Sequence, residues 1–170
     1  MRRLDQGKAR LLTELISPHY PYQSIMLITD GRYDLHRVLY DFTRKKGFEF
    51  DLRTIGCDID DIDADAHGEC RIEAMDLRMP RYNRHAKQYE NIYLSLHEAY
   101  LADDPLTILK KLYAIIKNAG ILTLLLEKEA ALLSRLDALL EESNFVAVGH
   151  VDIFDDFEVV TAKKLHGWGS

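Results

Sequence analysis

The sequence predicts one α/β domain built on a mostly parallel sheet, and three observations carry that expectation. Residues 89–128, YENIYLSLHEAYLADDPLTILKKLYAIIKNAGILTLLLEK, read as strand, loop, helix, tight turn, strand. Two apolar strands joined by one amphipathic helix form a parallel crossover, and a sheet made of such units is covered on both faces. Strand and helix patterns alternate through most of the chain, and its last two strand-like runs flank Phe154-Asp155-Asp156 as a hairpin, which adds one antiparallel edge.

Taken in order, residues 2–16 predict an amphipathic helix with Leu4, Leu11, Leu12, Leu15 and Ile16 on one side, ended by Ser17-Pro18 because a residue before proline leaves the helical region. His19, Tyr20, Pro21 and Tyr22 form an aromatic loop. Residues 24–29 (SIMLIT) are a buried-type strand running into Asp30-Gly31-Arg32-Tyr33. Asp34 is placed to cap a helix through Lys46, with Leu35, Val38, Leu39 and Phe42 inward and Gly47 closing it. Residues 50–55 are the second strand and 70–75 a weaker third, ending at Asp76. Between them, DIDDIDADAHGE faintly resembles a calcium loop, but Ala66 sits where glycine is needed, so a solvated acidic connector and no metal site is expected. Arg78, Arg81, Arg84, His85 and Lys87 form a basic cluster, read as a solvated face or as a contact for an anionic substrate.

In the central unit a strand spans 91–96, and Asp104 takes the N-cap of a helix with Pro105 at its first position. Leu109, Leu112 and Ile116 share a face widened by Ile108 and Ile115. Lys117 is expected in the last turn, and Gly120 in the left-handed conformation that stops the helix. Residues 121–126 follow as a strand and 128–142 as a Leu/Ala-rich helix, although 121–142 has the propensity for one uninterrupted helix. Strands at 145–152 and 157–163 end the fold, with His166-Gly167-Trp168-Gly169 as a tail. The expected division is an N-terminal helix and loop (1–22), a core (23–165) and a tail (166–170).

At 170 residues, 47% hydrophobic and 29% charged, the chain has the composition of a globular domain. A net charge of −6 disfavours nucleic acid binding through a global positive field. Cys57 and Cys70 make no metal or redox spacing, the first residues lack a secretion signal, and no apolar run reaches the roughly 20 residues that span a bilayer, so a cytoplasmic protein without membrane attachment is expected.

Several stretches resemble the class I S-adenosylmethionine-dependent methyltransferases, over nearly everything from Ser24 to Leu165. TIGCDID is similar to that family's second-strand ending and EAMDLRMP to its third. The stretch YENIYLSLHEAYLADDP with LKKLYAIIKNAGILTLLLE is similar to the fourth strand, helix and fifth strand, and ESNFVAVGHVDIFDDFEVVTAKK to the closing hairpin. The resemblance implies a Rossmann-like methyltransferase fold: a mostly parallel seven-stranded sheet, an antiparallel C-terminal hairpin strand and helices on both faces. It implies S-adenosylmethionine as cofactor, with Asp58 on the ribose and Asp76 on the adenine. One departure is plain. The family's acidic-x-Gly-x-Gly-x-Gly turn is replaced by TDGRYDLH, so Arg32 and Tyr33 bring side chains where the family keeps bare backbone.

Ligands of open α/β sheets bind outside the carboxyl ends of the strands, where strand order reverses. The residues expected there are Asp30, Gly31, Arg32, Tyr33, Asp58, Asp76 and Ser95 as cofactor contacts, with Arg32 and the helix N-terminus after Asp34 facing the cofactor carboxylate. His97 and Glu98 are the candidate acid–base residues, since methyl transfer is a direct displacement that needs alignment and sometimes a base. No Asn-Pro-Pro-Tyr, Asp-Pro-Pro-Tyr or Pro-Cys element is present, which disfavours nucleic acid acceptors. The functional expectation is a methyltransferase acting on a small molecule. The alternatives are a scaffold of the same fold that has lost its cofactor and works as a homodimer, or a relative binding another nucleotide or anionic metabolite.

Overall fold

The computed structural model describes residues 4–165, so the HGWGS tail and the first two residues of the predicted N-terminal helix lie outside the described residues. Seven strands form one sheet: β1 (Ser24–Thr29), β2 (Glu49–Thr54), β3 (Cys70–Ala74), β4 (Tyr89–Ser95), β5 (Ile116–Glu127), β6 (Phe145–Val151) and β7 (Phe157–Lys164). Their order is β3-β2-β1-β4-β5-β7-β6. β1 pairs in parallel with both β2 and β4, while β7 runs antiparallel to β5 and β6. The order therefore reverses between β1 and β4, the place where open α/β sheets generally bind ligands.

Alternate residues of each strand face opposite sides, and both sides are apolar because both are covered. Met26, Ile28, Ile92 and Leu94 pack with Leu109 and Leu112 of α5 (Pro105–Ile115) and with Leu136 and Leu140 of α6 (Leu133–Glu142). Ile25, Leu27, Tyr93 and Leu125 pack on the other side with Leu35 and Leu39 of α2 (Leu35–Lys46) and with Leu12. Leu112 is fully buried, and truncating such a leucine to alanine costs about 2–5 kcal/mol.

Four local expectations are corrected. The N-terminal helix is only α1 (Gln6–Ala9), capped by Asp5, and tightens into a 3₁₀ segment over Arg10–Leu15. There the Thr13 hydroxyl donates back to Arg10 O at 2.7 Å, and Leu11 turns out to solvent. Asp34 precedes α2 in the left-handed region (φ 55°) and its side chain makes no capping bond, whereas Asp104 does cap α5 through Thr107 N. α5 stops at Ile115, five residues before Gly120, and the chain enters β5 at once. Lys164 Nζ closes this helix end by donating to Tyr113 O (2.9 Å) and Ile116 O (3.1 Å). Lys117 is accordingly a strand residue paired with Glu90 at 2.6 Å, and the left-handed residue is Ala119 (φ 66°). Gly120 is required for close approach: a Cβ there would lie 2.7 Å from Lys117 O and 3.1 Å from Glu90 O. Residues 121–142 are strand, turn and helix, not one rod, because Glu98 Oε2 accepts from Leu132 N (3.2 Å) where α6 begins.

Candidate functional site

The turn after β1 is held from within. Asp30 Oδ1 accepts from Arg32 N (3.2 Å) and its Oδ2 from His97 N (3.1 Å), which ties the turn to the end of β4. The Arg32 guanidinium lies 3.1 Å from the same Oδ2, and the Asp30 side chain is only 3% exposed. Gly31 has φ 82°, which glycine adopts without strain, and a Cβ there would meet Cys57 Sγ at 3.3 Å. Tyr33 points into the core beside α2, edge-on to Phe157 at 4.8 Å, and its hydroxyl donates to Glu127 Oε1 at 3.3 Å. Burial, then the Glu127 and Asp30 charges, push its phenol up to about 12. Burial and the Asp30 carboxylate likewise raise the Cys57 thiol.

A cleft of about 750 Å³ opens outside the ends of β2 and β3. Ile55 and Gly56 form one wall, Met75 to Arg78 a second, and Tyr100 of α4 (Ala99–Ala102) with Asp104, the cap of α5, and Thr107 and Lys111 within it the third. Gly56 has φ 64°, and the Tyr100 hydroxyl would lie 3.1 Å from a Cβ there. Asp76 is in the wall. Its Oδ1 accepts from Arg78 N (2.9 Å) and Arg78 Nε (3.2 Å), and these bonds hold the carboxyl below its usual pKa. Asp58 is exposed two residues past Gly56 and does not line the cleft; neither do Asp30, Gly31, Arg32, Tyr33 or Ser95. Ser95 is fully buried, on the same side of β4 as Tyr93, and its hydroxyl makes no hydrogen bond among the described residues.

His97 and Glu98 stand side by side at the mouth of β4, and each already has a structural bond. The His97 Nδ1 accepts from Ala99 N at 3.1 Å, so a neutral ring carries its proton on Nε2 and presents a donor. Glu98 Oε2 accepts from Leu132 N, which leaves Oε1 for other work.

Two arrangements were not singled out from the sequence. Asp34, His36 and Asp61 bring ligand-type atoms within 4.8 Å of one another. His36 Nε2 lies 2.8 Å from Asp61 Oδ1 and Arg37 Nε 2.5 Å from Oδ2. Burial raises the Asp61 carboxyl, but these two hydrogen bonds outweigh it and its pKa is lowered, as in an ion-paired cap. The second arrangement lies under the strap of residues 75–88. Buried Asp51 accepts from Arg53 Nε (2.7 Å), Arg53 Nη2 (3.0 Å), Arg71 Nη2 (3.0 Å) and the Tyr89 hydroxyl. Arg53 Nη1 reaches Tyr82 O (3.3 Å), so this network anchors the strap that walls the cleft. The alternation in FDLRT was its signal, since it places two opposite charges on one face of a strand that should be buried on both.

The seven-strand order with its antiparallel last strand is the fold of the class I S-adenosylmethionine-dependent methyltransferases. No protein-family model and no curated protein matches the chain. Solved structures do. The CurJ carbon methyltransferase superposes with a TM-score of 0.66 at 9% identity, covering 92% of this chain and 54% of that one. The geranyl diphosphate C-methyltransferase from Streptomyces coelicolor A3(2), in complex with Mg²⁺, geranyl diphosphate and S-adenosyl-L-homocysteine, gives 0.64 at 11% identity, over 94% of this chain and 80% of that one. The [4+2]-cyclase SpnF gives 0.62 at 10% identity, over 93% and 81%. This chain thus spans about half the length of the first of these. At such identities the likeness shows the fold, and the cyclase carries the same fold under a different activity.

Proposed function

We propose that the chain is an S-adenosylmethionine-dependent methyltransferase acting on a small-molecule acceptor. The observation that carries this reading is the cleft outside β2 and β3, which is large enough for a nucleoside and has the Asp76 carboxylate in its wall. The two ends of the cofactor fare differently. For the nucleoside end, the cleft offers Asp76 to the adenine and bare backbone at Gly56, and the exposed Asp58 carboxylate lies on the same turn for the ribose. For the amino-acid end, the turn after β1 offers Arg32, whose guanidinium is 43% exposed, as the partner of a carboxylate. It does not offer a run of glycines. When bound, S-adenosylmethionine supplies the activated methyl group. The protein's part is then to align the acceptor and exclude water. Glu98 Oε1 is the base, and His97 Nε2–H is a donor that orients the acceptor oxygen or nitrogen.

Calorimetric titration of the full chain with S-adenosylmethionine and S-adenosylhomocysteine tests this. Saturable binding is expected, weakened by about tenfold or more in Asp76→Ala, the loss of one charge-assisted hydrogen bond. No heat at millimolar ligand from a folded sample would refute the reading.

A second reading is favoured by one specific observation, the inward-packed Tyr33 and the Asp30–Arg32 pair in the turn after β1. In it the fold has lost the cofactor and acts through protein contacts as a homodimer. Concentration-dependent dimerisation in a sample that binds neither cofactor form distinguishes it.

A further inference from the structure

A second groove, of about 540 Å³, lies between the edge strand β3 and residues 79–88 of the strap. Its floor is the Asp51 network, in which Arg53 is only 8% exposed while Arg71 is 54% exposed. Each guanidinium carries five N–H donors, so both keep donors beyond those given to Asp51. Above this floor, Arg81 and Arg84 are exposed on either side of Tyr82, and neither makes a hydrogen bond or ion pair with another described residue. Their spacing is imposed by the strap. Tyr82 is fully buried with its hydroxyl on Leu77 O (2.8 Å), Asn83 Nδ2 donates to the Tyr89 hydroxyl (2.9 Å), and Lys111 Nζ holds Met79 O (2.9 Å). The acids facing the groove are Glu49 and Glu73, and Glu73 is already within 3.8 Å of Arg53 and 3.5 Å of Arg71.

Two arginines without a partner among the described residues are thus carried on an anchored strap beside two buttressed ones, in a chain of net charge −6. We propose that this groove binds a phosphate-bearing small molecule, with Arg81 and Arg84 as its direct contacts and Arg71 as the third. Planar guanidinium forks pair with phosphate oxygens in parallel, and a dianion relieves the repulsion between neighbouring arginines. A nucleic acid chain is disfavoured because its binding draws on many phosphate contacts along a track, and here the cationic surface is one short groove on an acidic protein. The site is separate from the cleft and does not depend on the methyltransferase reading.

The test is calorimetric titration of the full chain with pyrophosphate at low ionic strength. Saturable binding is expected, and Arg81→Gln with Arg84→Gln should weaken it by about tenfold or more. Both side chains are exposed, so an unchanged unfolding midpoint confirms that the double variant is folded. Arg44→Gln with Lys45→Gln, the same loss of two charges at exposed positions of α2, should leave the affinity unaltered. Absence of saturable heat at millimolar pyrophosphate would overturn the proposal, as would equal binding by the double variant. So would a single-stranded oligonucleotide that displaces pyrophosphate with an affinity growing with its length.

Discussion

Replacing Asp51 by Asn keeps the volume of the side chain and removes the buried charge that compensates Arg53, leaving only the half-exposed Glu73 at 3.8 Å. Asp51 is fully buried and accepts two bonds from Arg53, one from Arg71 and one from Tyr89. An amide oxygen can keep some of these, but the amide nitrogen must then face a guanidinium. Breaking a buried pair in this way costs about 3–5 kcal/mol, because Arg53, only 8% exposed, loses its buried partner. For a domain of this size each kcal/mol moves the melting temperature by roughly 2–4 °C, so a drop of roughly 6–20 °C is expected. Urea unfolding at neutral pH gives the free energy directly. The pH dependence supplies an independent check. Burial alone would raise the Asp51 carboxyl, but the bonds from Arg53, Tyr89 and Arg71 outweigh it and the folded pKa is lowered. A depressed carboxyl stabilises the fold above its unfolded pKa, near 3.9, and that stabilisation is lost as pH falls toward the folded value. The gap between the native protein and Asp51→Asn should therefore narrow below about pH 4. A loss under about 1 kcal/mol at pH 7 would refute the argument, and so would a gap that stays constant into acid.

His150 sits between Glu158 Oε1 on Nδ1 (2.7 Å) and Asp137 Oδ1 on Nε2 (2.9 Å), and the Glu158 bond above all raises its pKa. The link between α6 and the hairpin should then be fully present below about pH 6.5 and fade as pH rises through the raised value. At 41% exposure the effect stays below about 1 kcal/mol, measurable as a difference in urea midpoint that His150→Gln abolishes. Gly120→Ala drives a methyl to 2.7 Å from Lys117 O and should destabilise by about 1–3 kcal/mol by the same assay. Ser95→Ala removes a buried hydroxyl that has no hydrogen bond among the described residues, so stability should hold or rise slightly; a loss above about 1 kcal/mol would mean the hydroxyl has a partner.

The strands were legible because each is a short apolar run bounded by turn residues, and their alternation with helices gave the α/β class. What failed was local and had long-range causes. Nothing near Ile115 announces a helix end, since the carbonyls there are satisfied by Lys164, distant in sequence. Gly120 looked like a helix stop and is instead a close-packing glycine, because Lys117 O of its own strand and the Tyr89 and Glu90 carbonyls of β4 crowd it. At the candidate site, Asp76 could be placed on the cleft from its position at a strand end. The third wall could not, since Tyr100 and Lys111 reach the cleft only through the packing of α4 and α5 on the sheet.

The same distinction bears on the turn after β1, on which the proposed cofactor binding rests. A side chain in a glycine-poor turn must go either outward, into the ligand space, or inward, into the core. In the turn after β1 it goes inward: Tyr33 has an aromatic partner in Phe157 and a hydroxyl partner in Glu127, both far along the chain. This glycine-poor turn therefore does not fill the crevice with Tyr33, and Cys57 Sγ is the atom that a Cβ at Gly31 would meet, at 3.3 Å. Cys57→Ala is accordingly the informative variant. It removes the sulfur against Gly31 without touching the Asp30 or Tyr33 bonds, so a cofactor limited by that contact should bind more tightly to it in the calorimetric titration. Unchanged weak binding would place the limit on the closed Asp30–Arg32 pair instead.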